Sequence, residues 1–274
     1  MTDRYAVIGN PIAQSKSPFI HAAFARQLGH DLSYEAILAA EDTFEATVRA
    51  FAAAGGRGMN VTAPFKLRAL ALSDRLSDRA RAAQAVNTLS FHPDGIEGDN
   101  TDGIGLVQDI RDRLGTRLAG RRIMLVGAGG AARGVLLPLL EARPAQLLVV
   151  NRSVDKAEAL VAPWAGRHPV SAGGLRAGAG GRFDVVINAT STGLGEQALD
   201  LGEGLYASGA LAYEMVYGAG DTAFMAEARR QGASRVADGL GMLVGQAAES
   251  FRIWRGAMPA VQPVLDALLP RRSG

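Results

Sequence analysis

The feature that most constrains the fold is a glycine-rich loop placed in the middle of the chain. Residues 127–132 read Gly-Ala-Gly-Gly-Ala-Ala and directly follow a predicted strand at residues 122–126. They match the G-x-G-x-x-G/A pattern of a dinucleotide-binding loop between a strand and a helix. Because this loop comes so late, residues 1–102 are expected to form a part other than the dinucleotide domain.

The glycines of this loop have distinct tasks in a dinucleotide site. Gly127 makes the tight turn, and Gly129 lets backbone N–H groups approach a pyrophosphate. The N-terminus of the following helix adds a partial positive charge beneath the phosphates. A glycine-rich turn without a ligand is the alternative, and the strand–loop–helix context favours a nucleotide. The expected contacts are Gly127, Ala128, Gly129, Gly130 and Ala131.

The residues after the next predicted strand indicate which dinucleotide is bound. An NAD-binding domain usually has an acidic side chain there, which accepts hydrogen bonds from the ribose 2′-hydroxyl. This chain has Asn151, Arg152 and Ser153 instead, with Lys156 one turn later. Arg152 can pair with a 2′-phosphate and stack on adenine, and Lys156 adds charge. We therefore expect NADP rather than NAD, and a pair of solvated surface cations is the alternative.

Composition excludes several classes of protein. The chain of 274 residues has no cysteine, so disulfides, thiolate metal sites and cysteine nucleophiles are excluded. Its four histidines lie at no spacing typical of metal ligands, and we expect no metal. The net charge is +2 and arginines alternate with acids, which argues against nucleic-acid binding. No apolar run approaches ~18 residues and no apolar signal region follows Met1, so we expect no membrane contact and a cytoplasmic location.

Strand and helix patterns alternate along the first part of the chain, which predicts an α/β fold. We expect strands at residues 5–8, 33–38 and 58–61, and a hairpin at residues 88–91 and 96–98. One helix is expected to begin before Pro18 with Ser17 as its cap. Another is expected to begin at a capping box formed by Asp42 and Glu45.

From residue 102 onward the pattern predicts a doubly wound parallel sheet. Strands are expected at residues 122–126, 146–150, 185–188, 211–215 and 235–236, with helices between them. Residues 172–182 are rich in glycine and alanine, which predicts a loose surface loop. Two further helices are expected at residues 242–255 and 259–269.

Two charged residues of the first part are candidates for proton chemistry. Lys66 follows Pro64 by two residues and lies in the first turn of a predicted helix. An ammonium at a helix N-terminus is electrostatically unfavourable, so a simple surface role explains it poorly. Asp102 also lies at a predicted helix start, where an ordinary N-cap is the alternative. The presence of a dinucleotide loop in the same chain favours a catalytic interpretation of the pair.

Motifs along the whole chain carry a resemblance to one family. They include Asn60-Val61-Thr62-Ala63-Pro64-Phe65-Lys66, Gly98-Asp99-Asn100-Thr101-Asp102-Gly103, and the segments at residues 7–11, 15–18, 85–89, 188–191, 213–217 and 238–248. In this order they resemble the shikimate dehydrogenase family. The resemblance implies an N-terminal mixed α/β substrate domain (1–102), a Rossmann-like NADP domain with a doubly wound parallel sheet (103–240), and C-terminal helices that return to the first domain (241–274).

The resemblance also implies a reaction and a set of site residues. The reaction is the reversible, NADPH-dependent reduction of 3-dehydroshikimate to shikimate. Lys66 and Asp102 would be the catalytic pair, with Lys66 as proton donor or as electrostatic clamp. The substrate contacts it implies are Ser15, Ser17, Asn60, Thr62, Asn87, Tyr217 and Gln246. The cofactor contacts it implies are Asn151, Arg152, Ser153, Lys156, Thr190, Met215 and Gly239.

Some positions depart from the commonest pattern of the family. Glu214 stands in place of Asp and Ser153 in place of Thr, and both preserve the chemical type. Ala63 stands in place of Val and only makes an apolar contact smaller. Asp78 matches a cofactor position of some relatives, but a helix-surface acid explains it better.

Several alternatives stay open at this stage. A paralogue that reduces quinate or an amino-substituted relative is one of them. A protein that binds NADP as a sensor without catalysis is another, and the presence of both Lys66 and Asp102 argues against it. A monomer and a homodimer are both compatible with the resemblance.

Overall fold

The computed structural model describes residues 2–190, 199–218 and 220–269. The chain divides into two compact units. The first unit is discontinuous and comprises Met1–Gly105 together with Leu243–Gly274, and the second unit is Leu106–Met242. The long C-terminal helix therefore leads the chain back into the unit in which it started.

The described residues form strands and helices in alternation. The strands are β1 (Asp3–Gly9), β2 (Leu32–Leu38), β3 (Gly56–Val61), β4 (Arg75–Leu76), β5 (Thr88–His92), β6 (Gly95–Asp99), β7 (Arg122–Val126), β8 (Gln146–Val150), β9 (Val170–Gly173), β10 (Phe183–Asn188), β11 (Tyr206–Glu214) and β12 (Arg235–Ala237). The helices are α1 (Ser17–Leu28), α2 (Phe44–Ala53), α3 (Lys66–Leu72), α4 (Asp78–Ala83), α5 (Asp102–Gln108), α6 (Gly130–Glu141), α7 (Val154–Val161), α8 (Ala223–Arg230), α9 (Leu240–Arg255) and α10 (Gln262–Leu268).

The first unit is built on a mixed six-stranded sheet in the order β2-β1-β3-β5-β6-β4. β1 pairs in parallel with β2 and β3, whereas β5 pairs antiparallel with both β3 and β6. The predicted hairpin is thus confirmed. An apolar core that includes Ile8, Phe44, Met59 and Phe65 packs against this sheet. The loops after β1 and β3 lie side by side, since Asn10 N–H donates to the Ala63 carbonyl at 3.0 Å.

The second unit contains an entirely parallel sheet in the order β12-β11-β10-β7-β8-β9. This is the doubly wound order, with the direction of winding reversed between β7 and β10. Both faces of the sheet are buried: Ile123 and Leu125 belong to one core cluster, and Met124 and Val126 to another. Burial on both faces explains the continuous apolar runs from which the strands are predictable. The predicted fold class is confirmed.

Two expected helix caps are wrong. Ser17 is the first residue of α1, Lys16 takes the cap position, and no side chain caps the helix. Of the expected capping box, Asp42 lies in a 3₁₀ turn at Glu41–Thr43, whereas Glu45 lies in the first turn of α2, which begins only at Phe44 and has no side-chain cap. Before α2 the chain passes through a hydrogen-bonded turn, in which the Thr43 N–H donates to the Ala40 carbonyl at 3.2 Å. At the start of α1 the Ser15 hydroxyl, and not that of Ser17, accepts from a backbone N–H.

Two elements differ from the sequence patterns. Residues 172–182 are not a loose loop, because β9 pairs in parallel with β8 and a 3₁₀ turn follows at Leu175–Gly178. An edge strand has one neighbour, so its Val-Ser-Ala-Gly sequence lacks the apolar run of a central strand. The short helix α4 was not expected, and the Ser77 hydroxyl caps it by accepting from the Ala80 N–H at 3.1 Å.

Candidate active site

The first unit brings the two predicted proton-handling residues into direct contact. Lys66 is the first residue of α3 and Asp102 is the first residue of α5. The Lys66 ammonium donates to Asp102 Oδ2 at 2.6 Å. The two side chains are 33% and 19% exposed, respectively. The pair is therefore shielded on most sides but still accessible to a small molecule.

The backbone of Asp102 is fixed by the residue two positions before it. Asn100 Oδ1 accepts from the Asp102 backbone N–H at 3.1 Å, and Asn100 Nδ2 donates to the Ala85 carbonyl at 3.1 Å. Asn100 is itself buried. The start of α5 is thereby tied to the loop before β5 without use of the Asp102 carboxylate.

Asn87 holds the other oxygen of the carboxylate. Its Nδ2 donates to Asp102 Oδ1 at 2.8 Å and to the Thr101 hydroxyl at 3.0 Å. The orientation of this amide is unambiguous, because its Oδ1 accepts from the backbone N–H of Thr101 at 3.0 Å, a group that can only donate. Both carboxylate oxygens of Asp102 are therefore occupied, one by an ammonium and one by an amide.

Asn60 lies directly behind Asn87 with its amide fully engaged. Its Nδ2 donates to the Asn87 backbone carbonyl at 3.1 Å, which can only accept, so its Oδ1 points the other way. There Oδ1 accepts from the Tyr34 hydroxyl at 2.7 Å. Asn60 is buried and bonded at both ends, so the structure shows it supporting Asn87; its expected contact with a substrate stays a prediction.

Gln246 lies on α9 and reaches the same cluster more loosely. Its Nε2 donates to the Leu243 carbonyl at 2.9 Å. Its Oε1 accepts from the Thr101 hydroxyl at 3.4 Å and from Asn87 Nδ2 at 3.5 Å. These last two contacts are long for hydrogen bonds, so the Gln246 carbonyl oxygen is available to a stronger donor.

The expected anion-binding serines lie in the loop after β1 and at the start of α1. Ser15 Oγ accepts from the Ser17 backbone N–H at 3.3 Å, and Ser17 is buried. No acidic residue is present in the first turn of α1, which keeps this helix start favourable for an anion. Thr62 follows β3, in the adjacent loop, and is half-buried.

An ion cluster next to the site was not expected from the sequence. Arg79, with a side chain that is 21% exposed, donates to both oxygens of Asp99 and to Glu249 Oε1. Burial raises the pKa of the Asp99 carboxyl, but hydrogen bonds from Arg79 and Ser77 outweigh it and leave the pKa below its ordinary value. Burial likewise raises the pKa of Glu249, and hydrogen bonds from Arg252 and Arg79 lower it further than burial raises it.

These charges tie α9 to the segment before Asp102. No local signal could have revealed them, since Glu249 is 170 positions from Arg79 and neither lies in a recognisable motif.

In the second unit the glycine loop borders a cavity of about 390 Å³. Gly127 has φ +111°, a conformation that favours glycine, and its backbone N–H donates to the Val150 carbonyl at 2.8 Å. A Cβ at Gly129 or at Gly130 would meet open space. The lining residues are Gly127, Ala128, Gly129, Gly130, Ala131, Asn151, Arg152, Leu175, Ala189, Thr190 and Leu199.

The residues expected to select the cofactor lie at the edge of this cavity and beside it. Arg152, Ser153 and Lys156 are exposed, and within the described part of the chain neither cation has an ion-pair partner. The Asn151 side chain donates to the Ser153 carbonyl at 2.9 Å, which shapes the turn after β8. The nearest acid in the sequence, Asp155, is exposed in the first turn of α7.

Thr190 is held at the carboxyl end of β10. Its N–H and hydroxyl donate to Asn188 Oδ1 at 3.2 and 2.8 Å, and Asn188 Nδ2 donates to Glu214 Oε2 at 2.8 Å. Burial raises the pKa of Glu214, against hydrogen bonds from Asn188 and the Val216 N–H. Glu214 therefore fixes the ends of β10 and β11 together. Ser191, the last residue of this motif, lies outside the described residues.

The remaining expected contacts follow β11 and β12. The Gly239 N–H donates to the Val216 carbonyl at 3.1 Å, and a Cβ at Gly239 would collide with the Met215 carbonyl. Glycine is thus required for this close approach of two backbones. Tyr217 belongs to the second unit and is exposed.

Among residues 2–190, 199–218 and 220–269, His, Cys, Asp and Glu side chains form no group of three suited to a metal ion. Over the same residues, each helix is too short or too polar to cross a membrane.

Comparison with known proteins assigns the family. The model of the shikimate dehydrogenase substrate binding domain matches residues 7–89, the shikimate / quinate 5-dehydrogenase model matches 108–194, and the shikimate 5′-dehydrogenase C-terminal domain matches 239–269. A shikimate dehydrogenase (NADP(+)) from Aromatoleum aromaticum is 60% identical over 275 residues, which cover 99% of both chains. The chain belongs to the shikimate dehydrogenase family.

Other members of the family support the same assignment. The shikimate dehydrogenase (NADP(+)) from Laribacter hongkongensis is 56% identical over 99% of both chains. The crystal structure of shikimate 5-dehydrogenase from Thermus thermophilus in complex with NADP(H) and shikimate is 33% identical. It superimposes with a TM-score of 0.86 and covers 97% of this chain and 98% of its own.

The Arg79 cluster leads to a prediction about stability and pH. Asp99 and Glu249 titrate below their ordinary values of 3.8 and 4.5 in the folded protein. As the pH falls, these carboxylates therefore bind protons in the unfolded chain before they do so in the folded protein. The stability that they contribute is full above their ordinary pKa values, and it is lost as the pH falls through their lower pKa values in the folded protein. We expect Arg79→Met to lower the free energy of unfolding at neutral pH by about 3 kcal/mol, because the Asp99 carboxylate loses its cation and Glu249 keeps only Arg252.

The same variant should also lose part of the acid sensitivity that the wild type shows as the pH falls below the ordinary carboxyl pKa values of 4.5 and 3.8. Urea unfolding at a series of pH values measures both effects. Arg111→Met, which removes an exposed pair with Asp112, is the matched control and should cost less than about 1 kcal/mol. An Arg79→Met protein that loses stability on acidification as steeply as the wild type would contradict the assignment.

Proposed function

We propose that this protein catalyses the reversible, NADPH-dependent reduction of 3-dehydroshikimate to shikimate. The observation that carries the proposal is the contact between the Lys66 ammonium and the Asp102 carboxylate, held from behind by Asn87. Relatives that are named shikimate dehydrogenase (NADP(+)) match the chain over nearly its full length. Residues 1–102 with the C-terminal helices would bind the substrate, and residues 103–240 would bind NADP, in a monomer or a homodimer.

The second unit offers a site that fits NADP. Backbone N–H groups at residues 127–131 and the N-terminus of α6 suit a pyrophosphate, since Gly129 and Gly130 leave open space where a Cβ would stand. Arg152, with Ser153 and Lys156, would bind the 2′-phosphate because an exposed guanidinium can form two parallel hydrogen bonds to it. When bound, NADP donates or accepts the hydride. Thr190, Met215 and Gly239 would contact its nicotinamide end.

Lys66 would handle the proton of the reaction. In the direction of reduction the carbonyl carbon gains a hydride and the carbonyl oxygen gains a proton, which together give the alcohol. The Lys66 ammonium donates that proton, and it stabilises the negative charge that develops on the oxygen before transfer is complete. The partial exposure of Lys66 then allows it to regain a proton from solvent.

Asp102 would keep the ammonium in place and bind the substrate beside it. Its Oδ2 accepts from Lys66 and its Oδ1 from Asn87, and each oxygen retains a lone pair for a substrate hydroxyl. Asn60 supports Asn87 from behind and would add to the polar surroundings of the substrate.

The substrate carboxylate would bind where β1 leads into α1. Ser15 and Ser17 supply hydroxyls at a helix start that has no acid in its first turn. Thr62, Asn87, Gln246 and Tyr217 would contact the ring hydroxyls. The long contacts of Gln246 within the unliganded cluster leave its carbonyl oxygen available for such a bond.

The direct test is absorbance at the nicotinamide band when the purified protein meets shikimate and NADP⁺. We expect NADPH to form with shikimate and NADP⁺, and much more slowly with quinate or with NAD⁺. Efficient turnover of quinate with NAD⁺ would instead favour a paralogue. Binding of NADP⁺ without turnover of either substrate would favour a sensor.

Replacement of Lys66 tests the proton transfer. We expect Lys66→Ala to reduce kcat by about 10³-fold, a typical loss for a general acid, while the dissociation constant for NADP⁺ stays near that of the wild type. Steady-state kinetics and fluorescence titration measure the two quantities. Leu67→Ala alters the neighbouring, exposed residue and is the control for α3. Unchanged turnover in Lys66→Ala would exclude Lys66 as the proton donor.

Replacement of Arg152 tests the choice of cofactor. We expect Arg152→Ala to raise the KM for NADP⁺ by about 10- to 100-fold, because a charge-assisted hydrogen bond to the 2′-phosphate is lost. The KM for NAD⁺, which lacks that phosphate, should change little. Arg167→Ala removes another exposed arginine of the same unit and serves as the control. An equal increase for both cofactors would mean that Arg152 does not recognise the phosphate.

A further inference from the structure

Ser250 lies in the interior of α9 with a fully buried side chain, four residues after Gln246. It belongs to none of the motifs that point to the active site. Its hydroxyl nevertheless lies within hydrogen-bond distance of groups from four parts of the first unit. These are Asn60 Nδ2 at 3.0 Å, Thr88 Oγ1 at 2.8 Å, Thr101 Oγ1 at 3.2 Å and the Gln246 carbonyl at 3.0 Å.

The chemistry of these partners decides which group donates. The Asn60 amide nitrogen can only donate, and the Gln246 backbone carbonyl can only accept. Ser250 therefore accepts from Asn60 and gives its single proton to the carbonyl. A threonine hydroxyl, Thr88 at the shorter distance, can use the second lone pair of Ser250.

A serine that bonds only to the carbonyl four residues earlier would have no influence beyond its helix. Ser250 differs because its other partners lead to the candidate site. Asn60 and Thr88 both contact Asn87: Asn60 donates to its carbonyl, and the Thr88 hydroxyl lies 2.8 Å from its Oδ1. Asn87 in turn holds Asp102.

The Thr101 hydroxyl lies 3.2 Å from the Ser250 hydroxyl and is in contact with it, although Asn60, Thr88 and the Gln246 carbonyl already use the hydrogen-bonding capacity of Ser250. The Thr101 hydroxyl accepts from Asn87 Nδ2 at 3.0 Å and lies 3.4 Å from Gln246 Oε1. Ser250 thus touches both the amide cluster behind Asp102 and the helix that carries Gln246. An alanine at this position would leave Asn60 with Thr88 as its remaining side-chain acceptor, at 3.2 Å, and would remove the shortest side-chain contact between α9 and the cluster.

We propose that Ser250 is a positioning residue that sets the place of Gln246 relative to Asn87 and Asp102, and thereby the affinity for the substrate. The inference rests on the proposed function, since it takes shikimate as the ligand of these groups. The inference concerns binding of the substrate and not of the cofactor, because all of the contacts of Ser250 lie in the first unit.

The test compares Ser250→Ala with wild type in shikimate oxidation by NADP⁺. We expect the KM for shikimate to rise about tenfold, as for the loss of one buried hydrogen bond that positions a ligand group. The KM for NADP⁺ should stay within about twofold and kcat should fall less than the KM rises. A general loss of folding would not separate the two KM values in this way.

Ser90→Ala is the matched control. Ser90 is a buried serine of β5, and among the described residues none is hydrogen-bonded to its side chain. We expect its kinetic constants to equal those of the wild type. Thr88→Val provides a second route if Ser250→Ala does not fold, because it keeps the shape of the side chain and removes the hydroxyl that Ser250 meets. It should raise the KM for shikimate selectively as well, and a double variant should show less than the sum of the two effects.

The outcomes separate the two proposals. If the wild type oxidises shikimate and Ser250→Ala leaves its KM unchanged, or raises both KM values alike, the positioning role is overturned while the function stands. If the wild type does not oxidise shikimate, the proposed function fails and this inference fails with it.

Discussion

The contact between Lys66 and Asp102 imposes the strictest demand on this structure. An ammonium and a carboxylate that are largely withdrawn from water are stable together only when their remaining hydrogen-bonding groups also find partners. Asn87 and Asn100 meet that demand for Asp102, one at the side chain and one at the backbone. The two helix starts therefore have to meet, and the β5–β6 hairpin between them is the element that brings residues 36 positions apart into contact.

The side-chain amides around Lys66 and Asp102 differ in how many hydrogen-bonding groups they leave available to a ligand. Asn60 and Asn87 are buried and their polar atoms are hydrogen-bonded within the protein, so their positions are fixed before a ligand binds. Gln246 makes only long contacts through its carbonyl oxygen. Two fixed amides together with the loosely held Gln246 suit a site that must bind a polyhydroxylated acid and release it again.

The proposed NADP site of the second unit uses a different means, since its backbone rather than its side chains would hold the pyrophosphate. The reversal of winding between β7 and β10 opens a crevice at the carboxyl ends of the strands, and the loop at Gly127 borders it. The buried carboxyl of Glu214 fastens the ends of β10 and β11 through Asn188.

The sequence by itself determined the parallel sheet and the glycine loop. It also identified Lys66 and Asp102 as a candidate catalytic pair. Continuous apolar runs, glycine spacing and charges at helix starts are local patterns, and local patterns can be recognised from the sequence alone. Only the tertiary structure decided that Arg79 joins Asp99 to Glu249, that Asn60 faces inward, and that Ser250 meets the active-site amides. Those contacts link residues up to 190 positions apart, and no periodicity encodes a partner that lies on another element. Hydrogen bonds select partners by distance and direction in space, which the chain acquires only when the sheet and α9 have packed together.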